Sequence, residues 1–441
     1  MDLFEKNRAK RILCGWLLVL FLPLSACASV TEGAGDLFSL PSVTAPEETE
    51  AATSAEPVSG EETGRETQAG EIPPVSGETE AGLRVQPQEA YSFTNPSADT
   101  FARDSLNETQ RLWYDDISET LGTMGEKKEL SALGLEAGLD AAGIDLIFQC
   151  VLNDHPEYFY VEGYTFTKFT RGEEVVKIEF SGAYSLGMGE AKAREKRMES
   201  AVAALLEGIR PEDTDYDKVR YVYETLIRNT EYRLDAADNQ NIYSVFVGGE
   251  SVCQGYAKAT QYLLNRLGME CTMVMGTVNT GEGHAWNLVK VDGSYYYVDT
   301  TWGDASYQME ESAEAAASPK PPEINYDYLC VTTAQLLRTH ILGSVVAMPQ
   351  CVALEANYYV REGVYFTSYD EEQLGRAFGA FAAQEREDIT LKCADILVYL
   401  DMLKELITNQ KIFDYLDGSG GAVSYAQNEK QLSLTFWMTS E

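Results

Sequence analysis

Three side chains in the sequence have the types and the order of a nucleophile, a base and an orienting acid. They are Cys253, His284 and Asp299. A thiolate attacks acyl carbons readily, an imidazole can take the thiol proton, and a carboxylate can hold that imidazole in the useful tautomer. The set therefore indicates covalent cysteine chemistry on an acyl group.

The residues that follow Cys253 predict a buried helix. Apolar side chains recur at helical spacing from Ala259 to Leu267, and Gly268 is a natural stop. Cys253 would then lie in the first turn of this helix. There the unpaired N–H groups and the positive end of the helix dipole favour a thiolate.

A β-hairpin is expected to carry the base and the acid. Asp292-Gly293 is a two-residue turn signal between a strand that starts at His284 and a strand from Ser294 to Asp299. Counting back from that turn makes Asp299 the diagonal neighbour of His284 on the same face. The two side chains should therefore meet.

Together these residues resemble the transglutaminase-like superfamily, a branch of the papain-like fold. The resemblance is carried by three motifs: Cys253-Gln254-Gly255-Tyr256, His284-Ala285-Trp286-Asn287 and Asp299-Thr300-Thr301-Trp302. It implies an α+β core in which the nucleophile helix packs on an antiparallel sheet. It also implies acyl transfer or amide hydrolysis through a thioester, on protein or peptide amides. Papain-type peptidases usually orient the histidine with Asn, so Asp299 favours the transglutaminase branch.

Four more residues are candidates for the site. Trp286 and Trp302 are expected to wall it. Tyr243 or Gln254 could supply a second oxyanion donor beside the Cys253 N–H. Core packing for Tyr243 and helix-end solvation for Gln254 are the alternatives.

The other two histidines have plainer interpretations. The chain has three histidines in all. His155 precedes Pro156 at a predicted helix end, and His340 closes a segment from Tyr326 that looks helical. Both are expected to be surface or capping residues, which leaves His284 as the base.

The first 90 residues predict export and tethering. Residues 1–26 have a basic start and a short apolar run, and Leu24-Ser25-Ala26-Cys27 resembles a bacterial lipobox. Lipidation of Cys27 would anchor the protein at the outer face of a membrane. Residues 27–90 should form a disordered acidic tether, because residues 28–90 hold 13 acidic residues against two arginines and one aromatic. An acidic interaction tail is the alternative.

The remaining residues are enough for two or three cores. We expect an α+β accessory domain over residues 91–210, the transglutaminase-like core over residues 211–345 and a small C-terminal α/β unit over residues 346–441. An insertion rich in Ala, Glu and Pro, residues 308–322, could hang over the cleft. The overall layout resembles surface lipoproteins of Gram-positive bacteria.

Composition limits the partners and cofactors. The formal net charge of −36 argues against nucleic acid and anionic lipid headgroups. No zinc-ligand spacing, phosphate-binding glycine loop or EF-hand loop is present, so no metal or other cofactor is expected.

Cys330 and Cys351 are the pair to test for a disulfide, although buried free thiols are the default. The rival to an enzyme is a non-enzymatic surface module that keeps the fold as a binding scaffold.

Overall fold

The computed structural model describes residues 51–52, 100–171, 174–304, 322–343, 345–416 and 423–438. The predicted signal segment, the lipidation site at Cys27, nearly all of the tether and residues 308–321 of the insertion lie outside these ranges. Within the described residues, no helix is both long enough and apolar enough to span a bilayer.

The N-terminal part combines an antiparallel hairpin with helices. Its elements are β1 (Ala51–Ala52), α1 (Phe101–Ser105), α2 (Glu108–Gly122), β2 (Lys128–Glu129), α3 (Ala132–Glu136), α4 (Ala141–Asp154), β3 (Val161–Arg171), β4 (Glu174–Tyr184) and α5 (Met188–Leu205). The sheet order is β1-β3-β4-β2. The start of α2 is set by a capping box of Asn107 and Gln110, because these side chains satisfy first-turn N–H groups.

The central part is the antiparallel sheet with the cysteine helix against it. Its elements are α6 (Asp215–Asn229), β5 (Glu231–Tyr232), a π-helical turn (Ser244–Gly248), β6 (Glu250–Ser251), α7 (Cys253–Arg266), β7 (Cys271–Val278), β8 (Gly283–Val291), β9 (Ser294–Val298), α8 (Thr300–Gly303), a 3₁₀ turn (Tyr326–Tyr328), α9 (Thr333–Leu336) and β10 (His340–Leu342). The sheet order is β10-β7-β8-β9. Helix α7 packs against β7, β8 and α6. The predicted α+β fold, with a nucleophile helix on an antiparallel sheet, is confirmed.

The segment from Tyr326 to His340 differs from the sequence expectation of one helix. It forms the 3₁₀ turn, the short helix α9 and the edge strand β10. A capping box of Thr332 and Gln335 starts α9. His340 begins β10 and pairs with Val278 of β7. This pairing is long-range, so local periodicity does not reveal it.

The C-terminal part is a small mixed sheet flanked by helices. Its elements are α10 (Tyr358–Arg361), β11 (Tyr365–Phe366), α11 (Glu371–Ala383), β12 (Asp388–Cys393), α12 (Ile396–Met402), a π-helical turn (Leu403–Thr408), a 3₁₀ turn (Lys411–Asp414), β13 (Val423–Asn428) and β14 (Ser433–Met438). The sheet order is β11-β12-β14-β13. The helical turn α10 is capped by the Asn357 side chain, which accepts the Tyr359 N–H.

The N-terminal and central parts are joined by buried amide contacts. The Gln261 side chain of α7 donates to the Asn153 carbonyl at 2.8 Å. The Asn153 side chain in turn donates to the Thr272 hydroxyl of β7 at 3.0 Å. Gln261 and Thr272 are both almost fully buried. The N–H groups of Gln261 and Asn153 thus find acceptors across the boundary, so the two parts stabilise each other.

A buried ion pair joins the central and C-terminal parts. Lys392 Nζ on β12 donates to Asp327 Oδ1 at 2.7 Å, and the two side chains are 0% and 4% exposed. Asp327 Oδ2 also accepts from Ser433 Oγ at 2.7 Å and from Asn428 Nδ2 at 3.2 Å. The carboxylate is therefore held by three donors of the C-terminal sheet.

Replacing Asp327 by alanine should leave Lys392 buried without its counter-charge. We expect the free energy of unfolding to fall by about 3–5 kcal/mol, the usual cost of removing one partner of a buried pair. Urea unfolding followed by circular dichroism measures this. The control is Glu372→Ala, which removes an exposed pair with Arg376 and should leave the midpoint unchanged. Equal midpoints for the Asp327 variant and wild type would contradict the prediction.

All six cysteines of the described residues are free and buried. The disulfide considered between Cys330 and Cys351 is therefore not formed, and both residues are buried free thiols. Burial raises the pKa of Cys351 to about 11. Burial likewise raises the pKa of Cys330, and the nearby Arg361 opposes this only in part. Such thiols are unreactive near neutral pH.

Candidate active site

Cys253 is the first residue of α7, as predicted. Val252 is the N-cap, in extended conformation, and its side chain makes no capping hydrogen bond. The first turn contains no acidic residue, so the positive end of the helix dipole is not offset there. Cys253 is 3% exposed. The helix thus presents a shielded sulfur beside unpaired backbone N–H groups.

His284 lies near the start of β8. The predicted hairpin register is confirmed, because Val291 pairs with Ser294 across the turn. His284 Nε2 lies 2.8 Å from Asp299 Oδ2. Cys253 lies beside the same ring and interacts with it. Because Asp299 occupies Nε2, Nδ1 is the nitrogen available to the thiol.

Asp299 reaches the histidine from a helix cap and not from a strand. Strand β9 ends at Val298, and Asp299 is the N-cap of α8. Its Oδ1 accepts the Trp302 backbone N–H at 3.1 Å, while Oδ2 faces His284. The predicted proximity is correct, but the predicted strand stops one residue early. Capping fixes the carboxylate more firmly than a strand end would.

The electrostatics of the pair favour a charged histidine. Burial alone would lower the pKa of His284, but the Asp299 carboxylate, together with the neighbouring Cys253, raises it to about 10. Burial alone would raise the pKa of Asp299, but the imidazoles of His284 and His340 hold it well below its usual range. An imidazolium and a carboxylate therefore coexist in a buried site near neutral pH.

The two predicted tryptophans pack around the histidine. The ring centroid of Trp286 lies 5.9 Å from that of His284, and the Trp302 centroid lies 5.8 Å from it. Both tryptophans are buried, with Trp286 at 1% and Trp302 at 6% exposure. They pack against the imidazole as expected, but neither borders the opening beside Cys253. Buried rings in this position exclude water from the His284–Asp299 pair and strengthen its charge interaction.

His340 is a second imidazole at this site, so its expected surface or capping role is wrong. It is 1% exposed, and its Nε2 lies 3.0 Å from Asp299 Oδ2, the same oxygen that faces His284. The Trp302 and His340 ring centroids are 4.8 Å apart. His155 does occupy a helix C-cap, but it is buried with 6% exposure.

The cluster of His284, Asp299 and His340 resembles a metal site in composition. Among the described residues, these three offer ligand-type atoms within 4.8 Å of one another. Here, however, both imidazoles contact the same carboxylate oxygen at hydrogen-bond distance, and the second oxygen accepts a backbone N–H. Hydrogen bonding alone therefore accounts for the arrangement.

A family model matches the part of the chain that holds these residues. Residues 203–300 match the family model Transglut_core, described as the transglutaminase-like superfamily. The chain carries a transglutaminase-like domain. The matched range includes Cys253 and His284 and ends one residue after Asp299.

Two related proteins match this chain over only a small part of their own length. The kyphoscoliosis peptidase of Mus musculus is 25% identical over 131 residues, which are 26% of this chain and 20% of that protein. The human kyphoscoliosis peptidase is 27% identical over 106 residues, which are 20% of this chain and 16% of that protein. The chain thus spans about a fifth of the length of these relatives.

A solved structure described as that of a TGase is also similar to part of the chain. It is 14% identical, with a TM-score of 0.24, and the match covers 35% of this chain and 55% of that one. The assignment of the transglutaminase-like domain rests on the family match to residues 203–300.

A narrow slot leads to the nucleophile of the transglutaminase-like domain. Its volume is about 50 Å³, and its lining combines Cys253 and His284 with mostly apolar side chains. The full lining is Tyr232, Leu234, Gln240, Val252, Cys253, Gln254, Met275, Gly276, His284 and Ala285. Tyr232 and Gln240 belong to none of the three motifs, and they reach the slot from the stretch between α6 and α7.

The two candidate oxyanion donors differ in position. Gln254 lines the slot with 7% exposure, and its buried Nε2 has no hydrogen-bond partner. Tyr243 lies against α5 instead, where its hydroxyl accepts from Arg197 at 2.8 Å and its ring stacks on Arg194. The structure does not bring Tyr243 to the nucleophile, which corrects that expectation. Gln254 keeps a free donor beside Cys253.

Proposed function

We propose that the protein is a cysteine-dependent acyl transferase or amide hydrolase that acts on protein or peptide amides. The observation that supports this most directly is the buried arrangement in which Cys253 lies beside His284 and His284 is hydrogen-bonded to Asp299. Cys253 and His284 line a slot that is also lined by Gln254, whose Nε2 has no hydrogen-bond partner. A nucleophile, a base and an orienting acid in mutual contact form the arrangement that acyl transfer requires.

In the first half-reaction, the Cys253 thiolate attacks the carbonyl carbon of an amide. The carbonyl π electrons move to oxygen, and the backbone N–H of Cys253 and the Gln254 Nε2 are the donors available to that oxyanion. The imidazolium of His284 then protonates the leaving nitrogen as the C–N bond breaks. The products are a thioester on Cys253 and free ammonia or amine.

In the second half-reaction, His284 acts as a base. It takes a proton from an incoming amine or water, which attacks the thioester carbon and releases the Cys253 thiolate. Asp299 keeps the imidazole oriented through both steps and stabilises its positive charge. An amine acceptor gives a cross-link, and water gives hydrolysis.

We further propose that this chemistry takes place at the outer face of a membrane. The support is the lipobox-like Leu24-Ser25-Ala26-Cys27 and the acidic stretch over residues 28–90. Substrates would then be surface or cell-wall proteins and peptides. Replacing Cys27 by serine and finding the protein still in the membrane fraction would contradict the lipid anchor.

Incubation of the full chain with a casein substrate and a fluorescent primary amine tests the enzymatic proposal. Transfer predicts covalent incorporation of the amine with thioester formation on Cys253. Hydrolysis predicts release of ammonia, or chain cleavage, without incorporation. The Cys253→Ala variant is the control for both. Cell-surface extracts serve as a second source of substrates in the same assay. The enzymatic proposal fails if wild type and variant yield the same products from casein and also from these extracts.

A further inference from the structure

A directed chain of hydrogen bonds runs from the C-terminal sheet to the catalytic carboxylate. Gln431, in the turn between β13 and β14, donates from Nε2 to Thr339 Oγ1 at 3.2 Å. Thr339 Oγ1 lies 2.9 Å from His340 Nδ1. His340 Nε2 lies 3.0 Å from Asp299 Oδ2. Each member is buried, with exposures between 1% and 2%.

The two ends of this chain have fixed donors and acceptors. Lys392 Nζ, which is only a donor, lies 3.4 Å from Gln431 Oε1, so the amide nitrogen faces Thr339. Thr339 Oγ1 accepts that N–H, and the acceptors within reach of its own proton are His340 Nδ1 at 2.9 Å and the Leu336 carbonyl at 3.4 Å. The ionised Asp299 can only accept. His340 therefore carries its proton on Nε2.

The charge state of His340 agrees with this assignment. Burial lowers the pKa of His340, and its contact with Asp299 only partly opposes this. A neutral imidazole has one N–H, and here that N–H points at the carboxylate. The titratable groups that face the pair are His284 and the phenols of Tyr223 and Tyr328.

We propose that His340 is a positioning residue of the catalytic centre and that the C-terminal sheet completes this centre through Gln431 and Thr339. The inference rests on the proposed function of Cys253. The shared Oδ2 and the capped Oδ1 leave the Asp299 carboxylate unable to rotate. The Nε2–H of His284 therefore donates to a fixed acceptor, Asp299 Oδ2, and this orients Nδ1 toward the Cys253 sulfur.

Two variants of His340 separate hydrogen bonding from packing. His340→Phe keeps an aromatic ring among Trp286 and Trp302 but removes the N–H. We expect kcat/KM to fall about 10- to 100-fold through kcat, the usual range for groups that orient a catalytic residue. His340→Gln places an N–H donor near the same point and should recover most of the rate.

The pH profile gives a readout that loss of packing alone would not move. Without the His340 donor, the Asp299 carboxylate is less stabilised and takes up a proton at higher pH. The acid limb of the rate of Cys253 alkylation by iodoacetamide should therefore move up by about one pH unit. Gln431→Leu should move it in the same direction by a smaller amount. Gln427→Leu, on the same hairpin, is the matched control and should not move it.

The outcomes are distinct. An unchanged acid limb in both His340→Phe and Gln431→Leu, with folded circular dichroism spectra, would overturn the inference. If chelation by EDTA reproduced the His340→Phe profile in wild type, the cluster would bind a metal and the hydrogen-bond chain would be rejected. If no acyl transfer were found but the alkylation limb still moved, the positioning role would stand and the proposed function would fail.

Discussion

Replacing Cys253 by alanine removes acyl transfer and hydrolysis, with kcat expected to fall by a factor of about 10⁴ to 10⁶. The reason is that the covalent route is lost entirely. What remains is the binding of substrate in the slot and the polarisation of its carbonyl by the helix N-terminus and Gln254. His284 and Asp299 have no nucleophile to serve in this variant. Initial rates of ammonia release and of amine incorporation measure the loss.

A thiol probe localises the reactivity that this prediction requires. Alkylation by iodoacetamide, followed by peptide mass spectrometry, should label Cys253 rapidly in wild type and slowly in His284→Ala. Cys150 is the internal reference, because burial raises its pKa to about 12 and leaves it inert. Equal labelling of Cys253 in wild type and His284→Ala would mark that sulfur as a bystander and refute its catalytic role.

Replacing Asp299 by asparagine should lower kcat about 10³- to 10⁴-fold while the slot stays intact. An amide keeps the size of the carboxylate but loses the charge that raises the pKa of His284 to about 10. Burial, the largest contribution, is then opposed only by Cys253 and lowers that pKa, so we expect a neutral imidazole near pH 7. The thiolate–imidazolium pair is lost. Rates with the same substrates measure the fall, and near-UV circular dichroism checks folding.

The same substitution should change how stability depends on pH. His284 has a folded-state pKa of about 10 against an ordinary value of 6.5. Because the folded value is the higher one, its stabilisation is complete below about pH 6.5 and is lost as the pH rises through about 10. Thermal unfolding should show this decline in wild type. A decline of the same size in Asp299→Asn would mean that the carboxylate is not its source.

Much of the site could be predicted because its three parts lie on locally encoded elements. The helix of Cys253 has its own apolar period and a stop at Gly268, and the hairpin of His284 is set by Asp292-Gly293. Both signals lie within a few residues of the elements that they specify. The convergence of Cys253 with the hairpin followed from the family resemblance, since spacing alone does not bring a helix to a strand.

The features that were missed depend on long-range contacts. His340 is far from Asp299 in sequence and joins it because β10 pairs with β7. A three-residue strand such as His340–Leu342 is too short to show an alternating pattern. Asp299 was expected in a strand because β9 leads directly into it, whereas its side chain caps the next turn. Tyr243 was chosen for its chemistry, but neighbouring arginines of α5 hold it elsewhere.

The buried amide contacts of Gln261 and Asn153 have a consequence for the limits of the unit that can exist alone. The family match covers residues 203–300, yet Gln261 donates to a carbonyl outside that range and Thr272 accepts from a side chain outside it. A fragment limited to residues 203–300 would lose Asn153, so the buried side chains of Gln261 and Thr272 would be exposed to water and α7 would lose its contacts with α4. The sequence that matches the family is therefore shorter than the unit that folds on its own. Moving it into another protein would require a replacement for α4.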